Sequence, residues 1–242
     1  MNLVILEPGE SGDGSDTHLS GARAEHLRSV LHVEVGAQVR VGILNGPRGV
    51  GTVKSFDEST VTLRCTFEPA LPPRPDVDVL LALPRPKVLR RLWAQLAAMG
   101  VGQIILTNAE RVERNYFDTH ILSPEYYQPL LIEGLQQARD TWLPAVSVHR
   151  QFKVLIEDDL DELFRRGRRL VADPSAKARP GTSTKERVLL AIGPEGGWND
   201  FELNLLEARG FARVGMGPRT LRTDTACIAL LAVVHDALNA VE

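Results

Sequence analysis

Cysteine is nearly absent from this chain: there are two in 242 residues, Cys65 and Cys227, far apart and without neighbours to pair with. That argues against a disulfide scaffold and against a cysteine-type zinc site, and a reducing, cytoplasmic setting is the simplest expectation. The six histidines are scattered, with no His-x-x-x-His pair, so no metal site is expected. Long apolar runs are missing too. None approaches the ~20 residues of a membrane span, and no membrane association is expected. The opening "MNLVILEPGESGDGSD" has no basic start and too short an apolar part for a signal peptide; it reads as a strand followed by a polar loop. Charge of one sign is also lacking: the net charge is −3, which does not announce a nucleic-acid binder. Residues 1–72 carry 6 Lys+Arg against 9 Asp+Glu, and the 22 of each that remain cancel.

What the chain does have is a hydrophobic content of 43% beside 24% charge, enough for a sizeable core. Its basic residues cluster in "RPDVDVLLALPRPKVLRRLW" and "FRRGRR", which read equally as a positive face or as solvated helix surface. The segment "FEPALPPRPDVD" (67–78) is the best boundary, since its four prolines favour an extended connector. Before it, "AQVRVGIL", "VGTVKSF" and "TVTLRCTF" alternate between turn clusters, predicting a meander of short strands. "SGARAEHLRSVLHVEVG" predicts a short amphipathic helix with Leu27, Val30 and Leu31 on one face. A small β-barrel domain over residues 1–72 accounts for this half.

After the connector the rhythm becomes strand, helix, strand. "VDVLLALP", "GQIILTN", "AVSVH", "RRLVADP", "RVLLAIG" and "ARVGMG" predict strands. "KVLRRLWAQLAAMG", "SPEYYQPLLIEGLQQAR", "DDLDELFRR" and "DFELNLLEARG" predict helices. "TDTACIALLAVVHDAL" predicts a long helix that is apolar over most of its surface and therefore buried on more than one side. Apolar strands alternating with helices make residues 73–242 an α/β domain with a mostly parallel sheet.

Ligands of such sheets sit at the carboxyl ends of strands. Three loops leave strands that way: "ADPSA" (172–176), "GPEGG" (193–197) and "GMGPRTLRTDT" (215–225). The second has neither the G-x-G-x-x-G spacing of a dinucleotide site nor the Gly-Lys-Ser/Thr of a P-loop. Its glycines either let a flat ligand reach the backbone or simply form a tight strand-to-helix turn. In the third, Arg219 and Arg222 flank a helix start that Thr223 or Thr225 could cap. Two arginines there suit a phosphate or a developing oxyanion, or single surface ion pairs.

"LLAIGPEGGW" followed by a helix, then "GFARVGMGPRTLRTDTA" leading into an apolar helix, resembles the signature of the RsmE family, the 16S ribosomal RNA uridine N3-methyltransferases of the SPOUT superfamily. "HLRSVLHVEVGAQVRVG" is similar to the family's PUA-like RNA-binding barrel, and "KVLRRLWAQLAAMGVGQIILTNAERV" to its first catalytic-domain helix and strand. The resemblance implies a deep C-terminal trefoil knot, a homodimer, and S-adenosylmethionine held by Ala172, Gly193, Pro194, Glu195, Gly196, Gly197, Met216, Gly217, Leu221 and Thr223. It implies contacts with 16S rRNA of the small ribosomal subunit at His26, Arg28, Arg111, Arg139 and Arg219. The chain departs from the family pattern at Gln95, Ala98, Met99, His32 and Asp224.

Uridine N3 must lose a proton before or during methyl transfer, and negative charge then spreads onto O2 and O4. Arg222 is the candidate catalytic residue that stabilises it. Asp224 is a candidate base or a helix-start residue, and Trp198 is open between stacking on a base and core packing. Two other readings stand beside this one: a SPOUT methyltransferase of another RNA, and a ribosome-binding relative without catalysis.

Overall fold

The computed structural model describes residues 3–181, 185–217 and 219–240. They form two compact units that are not consecutive in the chain. One comprises the residues up to Arg74 together with Ile132–Leu143; the other comprises Pro75–Leu131 and the chain from Pro144 onward.

The first unit is built on a five-stranded sheet. Its strands are β1 (Val4–Leu6), β2 (Asp16–Ser20), β3 (Gln38–Ile43), β4 (Arg48–Phe56) and β5 (Thr60–Phe67), in spatial order β1-β3-β4-β5-β2. The meander read from the sequence is present as β3, β4 and β5, antiparallel in turn, with an irregularity between Val53 and Ser55. Alternation sends Val39, Val41, Val53, Val61, Leu63 and Cys65 to one side, where they pack with Leu6, Leu19, Ala24 and Leu27. The helix expected before β3 is shorter than its apolar pattern suggested. α1 (Gly21–Glu25) passes into a π-turn, His26–Val30, in which Leu31 N–H reaches back to His26 O at 3.0 Å. This wider turn rotates the later residues off the buried face. Leu27 is buried, but Val30 and Leu31 are 61% and 41% exposed. His32 then turns the chain with φ +47.

Segment 132–143 joins this unit through polar contacts. Thr141 Oγ1 donates to Gly46 O at 2.7 Å, Trp142 Nε1 donates to Pro72 O at 2.9 Å, and the Arg74 guanidinium lies 4.3 Å from the Trp142 ring centre.

The second unit holds a six-stranded sheet of β6 (Val77–Ala82), β7 (Val101–Thr107), β8 (Ala145–His149), β9 (Arg168–Ala172), β10 (Val188–Ile192) and β11 (Phe211–Val214). Its order is β11-β9-β10-β6-β7-β8 and every pairing is parallel. β6 and β10 are buried at every position, the pattern of strands covered on both faces. The helices are α2 (Pro86–Ala98), α3 (Pro124–Ala138), the short α4 (Phe152–Val154) and α5 (Leu160–Leu163) with a π-turn between them, α6 (Asp200–Ala208) and α7 (Thr223–Asn239). The last residues of α3 belong to the first unit. α2 buries Leu89, Leu92, Trp93 and Leu96, the stripe read from its spacing. α7 buries Cys227, Leu230, Leu231, Val234 and Leu238, yet Val233 is 38% exposed, so its apolar surface is not wholly covered. At the amino ends of the strands, buried Asp78 Oδ1 accepts from Arg187 Nη2 at 2.8 Å.

Candidate cofactor site

The three loops singled out in the sequence follow β9, β10 and β11 and meet at the carboxyl ends of those strands. They enclose a cavity of about 260 Å³ lined by Ala172, Asp173, Pro174, residues 192–198, Leu203, Thr220, Leu221, Thr223 and Ala226. A smaller lobe of about 60 Å³ shares Ala172, Asp173, Pro174, Leu221 and Ala226 and adds Met216, Gly217 and Arg219. All ten residues expected to hold a cofactor line one lobe or the other. Pro218, in the third loop, lies outside the described residues.

The sequence around the cavity explains its shape. β10 ends at Ile192, and the chain turns through Gly193–Gly197, with Gly197 N–H closing onto Pro194 O at 2.8 Å and φ +71 at Gly197. α6 then starts in a capping box. Asn199 Oδ1 accepts from Glu202 N–H while the Glu202 carboxylate accepts from Asn199 N–H, both at 2.8 Å, and the second Glu202 oxygen accepts from Glu110 N–H at 2.7 Å. The buried carboxylate of Glu202 is thereby fully used in structure.

The glycines of the loop answer to the chain itself. A Cβ on Gly196 would come within 2.8 Å of Arg111 Cδ, and one on Gly193 within 3.1–3.2 Å of Trp198 N and Cδ1. The Arg111 guanidinium donates to Gly196 O, and Arg85 N–H donates to the Glu195 carboxylate at 3.1 Å. The loop after β10 is therefore tied to the loops after β6 and β7.

Asp173, in the loop after β9 and without any sequence motif of its own, lines both lobes and is 7% exposed. Burial pushes its carboxyl up, but hydrogen bonds from Ser175 N–H and Oγ at 2.8 Å, and the Arg213 guanidinium at 3.4 Å, hold it below the usual carboxylate range. Trp198 is 7% exposed, packs on Phe152 at 5.4 Å between ring centres, and still walls the cavity. Cys227, at the foot of α7, has its thiol pushed up to about 12 by burial and offers no nucleophile.

Arg222 is the residue before α7 and lines neither lobe, although its neighbours Leu221 and Thr223 both do. It is exposed, and its guanidinium has no partner among the described residues. It occupies the position expected of a capping threonine, without a side-chain cap bond, and Thr223 is instead the first helical residue. Asp224 is not placed to act as a base. Its carboxylate accepts from Arg91 at 2.6 Å and from Thr225 N–H at 2.9 Å. Partial burial raises it, but those bonds and the Arg91 charge outweigh this and hold it low.

The residues expected to touch RNA are differently disposed. Arg28 donates to the backbone carbonyls of Asp57, Glu58 and Thr60, buttressing the β4–β5 turn. His26 lines a surface pocket of the first unit with Arg23, Glu133, Gln136 and Gln137. Arg139 is exposed with φ +59. Arg111 is held on Gly196, and Arg219 lines the smaller lobe. Among the described residues no group of three or more His, Cys, Asp or Glu could hold a metal, and no helix is long and apolar enough to cross a membrane.

Comparison with known proteins decides the family. The RNA methyltransferase domain family matches residues 72–235. The ribosomal RNA small subunit methyltransferase E of Treponema pallidum is 32% identical over 247 residues, covering 97% of this chain and 90% of that protein. The chain belongs to the ribosomal RNA small subunit methyltransferase E family. A second family member, from Borreliella burgdorferi, is 26% identical over 95% of each chain. The solved methyltransferase E of Neisseria gonorrhoeae, bound to S-adenosyl methionine, superposes with a TM-score of 0.78 at 18% identity, covering 98% of this chain and 97% of that one. A methyltransferase of Legionella pneumophila in complex with the same cofactor gives 0.76 at 22% identity, with the same coverage. At these identities the structural likeness establishes the methyltransferase E fold.

Proposed function

We propose that this protein transfers a methyl group from S-adenosylmethionine to N3 of a uridine in the 16S rRNA of the small ribosomal subunit. The observation that carries the reading is the cavity itself, formed by the three family loops at the carboxyl ends of β9, β10 and β11. Its chemistry fits the cofactor. Ile192, Leu203, Leu221 and Ala226 offer apolar walls for a purine, and residues 193–197, which line the same lobe, offer backbone donors and acceptors to its edge. The main lobe has the carboxylates of Asp173 and Glu195 and no Lys or Arg among its described lining residues. That is the wrong sign for a diphosphate-bearing nucleotide and the right one for a sulfonium and an ammonium.

S-adenosylmethionine, when bound, supplies an electrophilic methyl group; the chain's own residues do the rest. The β10–α6 loop, braced by Arg85 N–H and Arg111, fixes orientation. Arg222, at the rim beside Leu221 and Thr223, faces the charge that spreads onto O2 and O4 of the uridine as N3 loses its proton. Removing one such donor costs roughly 2.7–4 kcal/mol, or 10²–10³ in kcat. Arg222→Ala is expected to lose that much turnover while cofactor affinity stays within a few fold; undiminished turnover removes Arg222 from the chemistry.

The finer features of the family belong to the same proposal: a trefoil knot, a PUA-like barrel at the N-terminus, a homodimer, cytoplasmic residence, and RNA contacts at His26, Arg139 and Arg219. The close passage at Gly215, whose N–H donates to Ala178 O at 2.8 Å, supports a chain drawn tightly past the 173–178 loop. Exposed Val233 on α7 supports a covered face in a dimer. Size-exclusion chromatography with light scattering tests the dimer, and a single-chain mass overturns it.

A further inference from the structure

Beside the cofactor cavity the second unit carries another groove, of about 360 Å³, lined by Asn108, Ala109, Glu110, Val112, Arg114, Phe152, Lys153, Asn199, Phe201 and Glu202. None of the functional residues assigned above belongs to it. Its composition is specific. Phe201, in the first turn of α6, is 59% exposed, with its backbone fixed by the capping box on either side. A phenyl ring held in water on a rigid turn leaves a large apolar face uncovered.

Two cations line the same groove. Arg114 opens a 3-10 turn, Arg114–Asp118, and its guanidinium has no partner among the described residues. Lys153 on α4 has, among the described residues, only a solvent-side pair with Glu157 at 3.8 Å. Of the facing carboxylates, Glu202 is satisfied by two backbone N–H groups, which leaves Glu110 at the surface. The groove adjoins the cofactor cavity, because Phe152 at its wall stacks on Trp198, which walls the cavity on the other side.

We infer that this groove binds a nucleotide flanking the target uridine, with its base stacked on Phe201 and its phosphates drawn to Arg114 and Lys153. A π-face for a base and cations for the backbone are what single-stranded RNA requires. A self-association face would be served poorly by two cations and by the buried Asn108 Oδ1, which has no hydrogen-bond partner among the described residues. The inference rests on the proposal that RNA is the substrate.

The test uses the full-length protein and three variants, Phe201→Ala, Phe201→Trp and Arg114→Ala/Lys153→Ala. Methyl transfer to small ribosomal subunits is measured with RNA and cofactor varied separately, and binding of a short single-stranded uridine-containing RNA is measured across salt. The expected result is a rise of about 5–10-fold in KM for RNA and in oligonucleotide Kd for Phe201→Ala, restored by Phe201→Trp, with cofactor Kd unchanged. The double variant should flatten the slope of log Kd against log salt by roughly 1.4, about 0.7 for each single-strand phosphate that is no longer neutralised. RNA KM and oligonucleotide Kd within twofold of wild type in Phe201→Ala overturn the inference. So does a change of oligomeric state with RNA affinity intact. Wild-type protein that transfers no methyl group overturns the proposed function instead, and the oligonucleotide measurement still decides the groove.

Discussion

Gly215 follows β11 directly, and an alanine there would place its Cβ 2.5 Å from Ala176 O and 2.9 Å from Asp173 O. Both obstacles are backbone atoms, about 1 Å inside an ordinary contact. The loop that carries them has little room to retreat. Ala176 N–H is bonded to Asp173 O at 3.1 Å, Asp173 N–H to Val214 O at 2.9 Å, and the Asp173 carboxylate holds Ser175. Overpacking of this kind costs about 1–3 kcal/mol, and displacing Gly215 weakens its bond to Ala178 O, worth about 1 kcal/mol. Gly215→Ala should therefore lose about 2–4 kcal/mol, read as a shift in denaturant midpoint at constant slope. Because the obstructed loop lines both lobes, S-adenosylmethionine Kd by calorimetry should rise tenfold or more, equivalent to about 1.4 kcal/mol. Gly217→Ala is the control. It has φ +110 but no atom within 4 Å of the added Cβ, so it carries only backbone strain of about 1–2 kcal/mol. A loss below ~0.5 kcal/mol in Gly215→Ala, with cofactor affinity unchanged, would refute the crowding reasoning.

Arg111→Ala should raise KM for the cofactor about tenfold with a smaller change in kcat, and Arg111→Lys should recover part of it, since the side chain braces Gly196 O; equal KM values in all three proteins would remove the brace. Leu221, 37% exposed yet lining both lobes, should weaken cofactor binding several-fold on change to Ala while costing under about 1 kcal/mol in a urea melt. Asp224 is held low in the folded state, so its contribution is present above about pH 4 and is lost as pH falls through the folded value. With Arg91 largely solvent-exposed, Asp224→Asn should cost only about 1 kcal/mol at pH 7, about 2–4 °C in Tm, and the difference should shrink progressively in melts as pH is lowered below about 4. A gap that does not shrink with acidification would contradict the ion-pair origin.

The elements legible in the sequence were those whose pattern and packing agree. β6 and β10 are unbroken apolar runs and are buried throughout. The stripe Leu89, Leu92, Trp93, Leu96 faces the core of its unit as spaced. The ligand edge was legible because the loops after three parallel strands had to end together. Other features depended on tertiary contacts. The π-turn at His26–Val30 shifts the helical phase without any residue that announces it, so Val30 and Leu31 read as buried and are not. Nothing in α3 signals that residues from Ile132 leave for the first unit, because Thr141 and Trp142 bond carbonyls at Gly46 and Pro72, far off in the chain. Gly193 and Gly196 line the cavity, but the space an added Cβ would take at either is filled by Trp198 or Arg111, packing that the sequence does not announce. Arg28, which the family resemblance implies as an RNA contact, donates to carbonyls in a turn of its own sheet, a role that nothing in its local sequence announces.

The most direct test of the central claim is methyl transfer from labelled S-adenosylmethionine to small ribosomal subunits from a strain lacking this protein, followed by nucleoside analysis. One 3-methyluridine in the 16S rRNA is expected, and its rate of formation should fall about 10²–10³-fold with Arg222→Ala. No labelled nucleoside in 16S rRNA, from protein that still binds the cofactor, would contradict the claim.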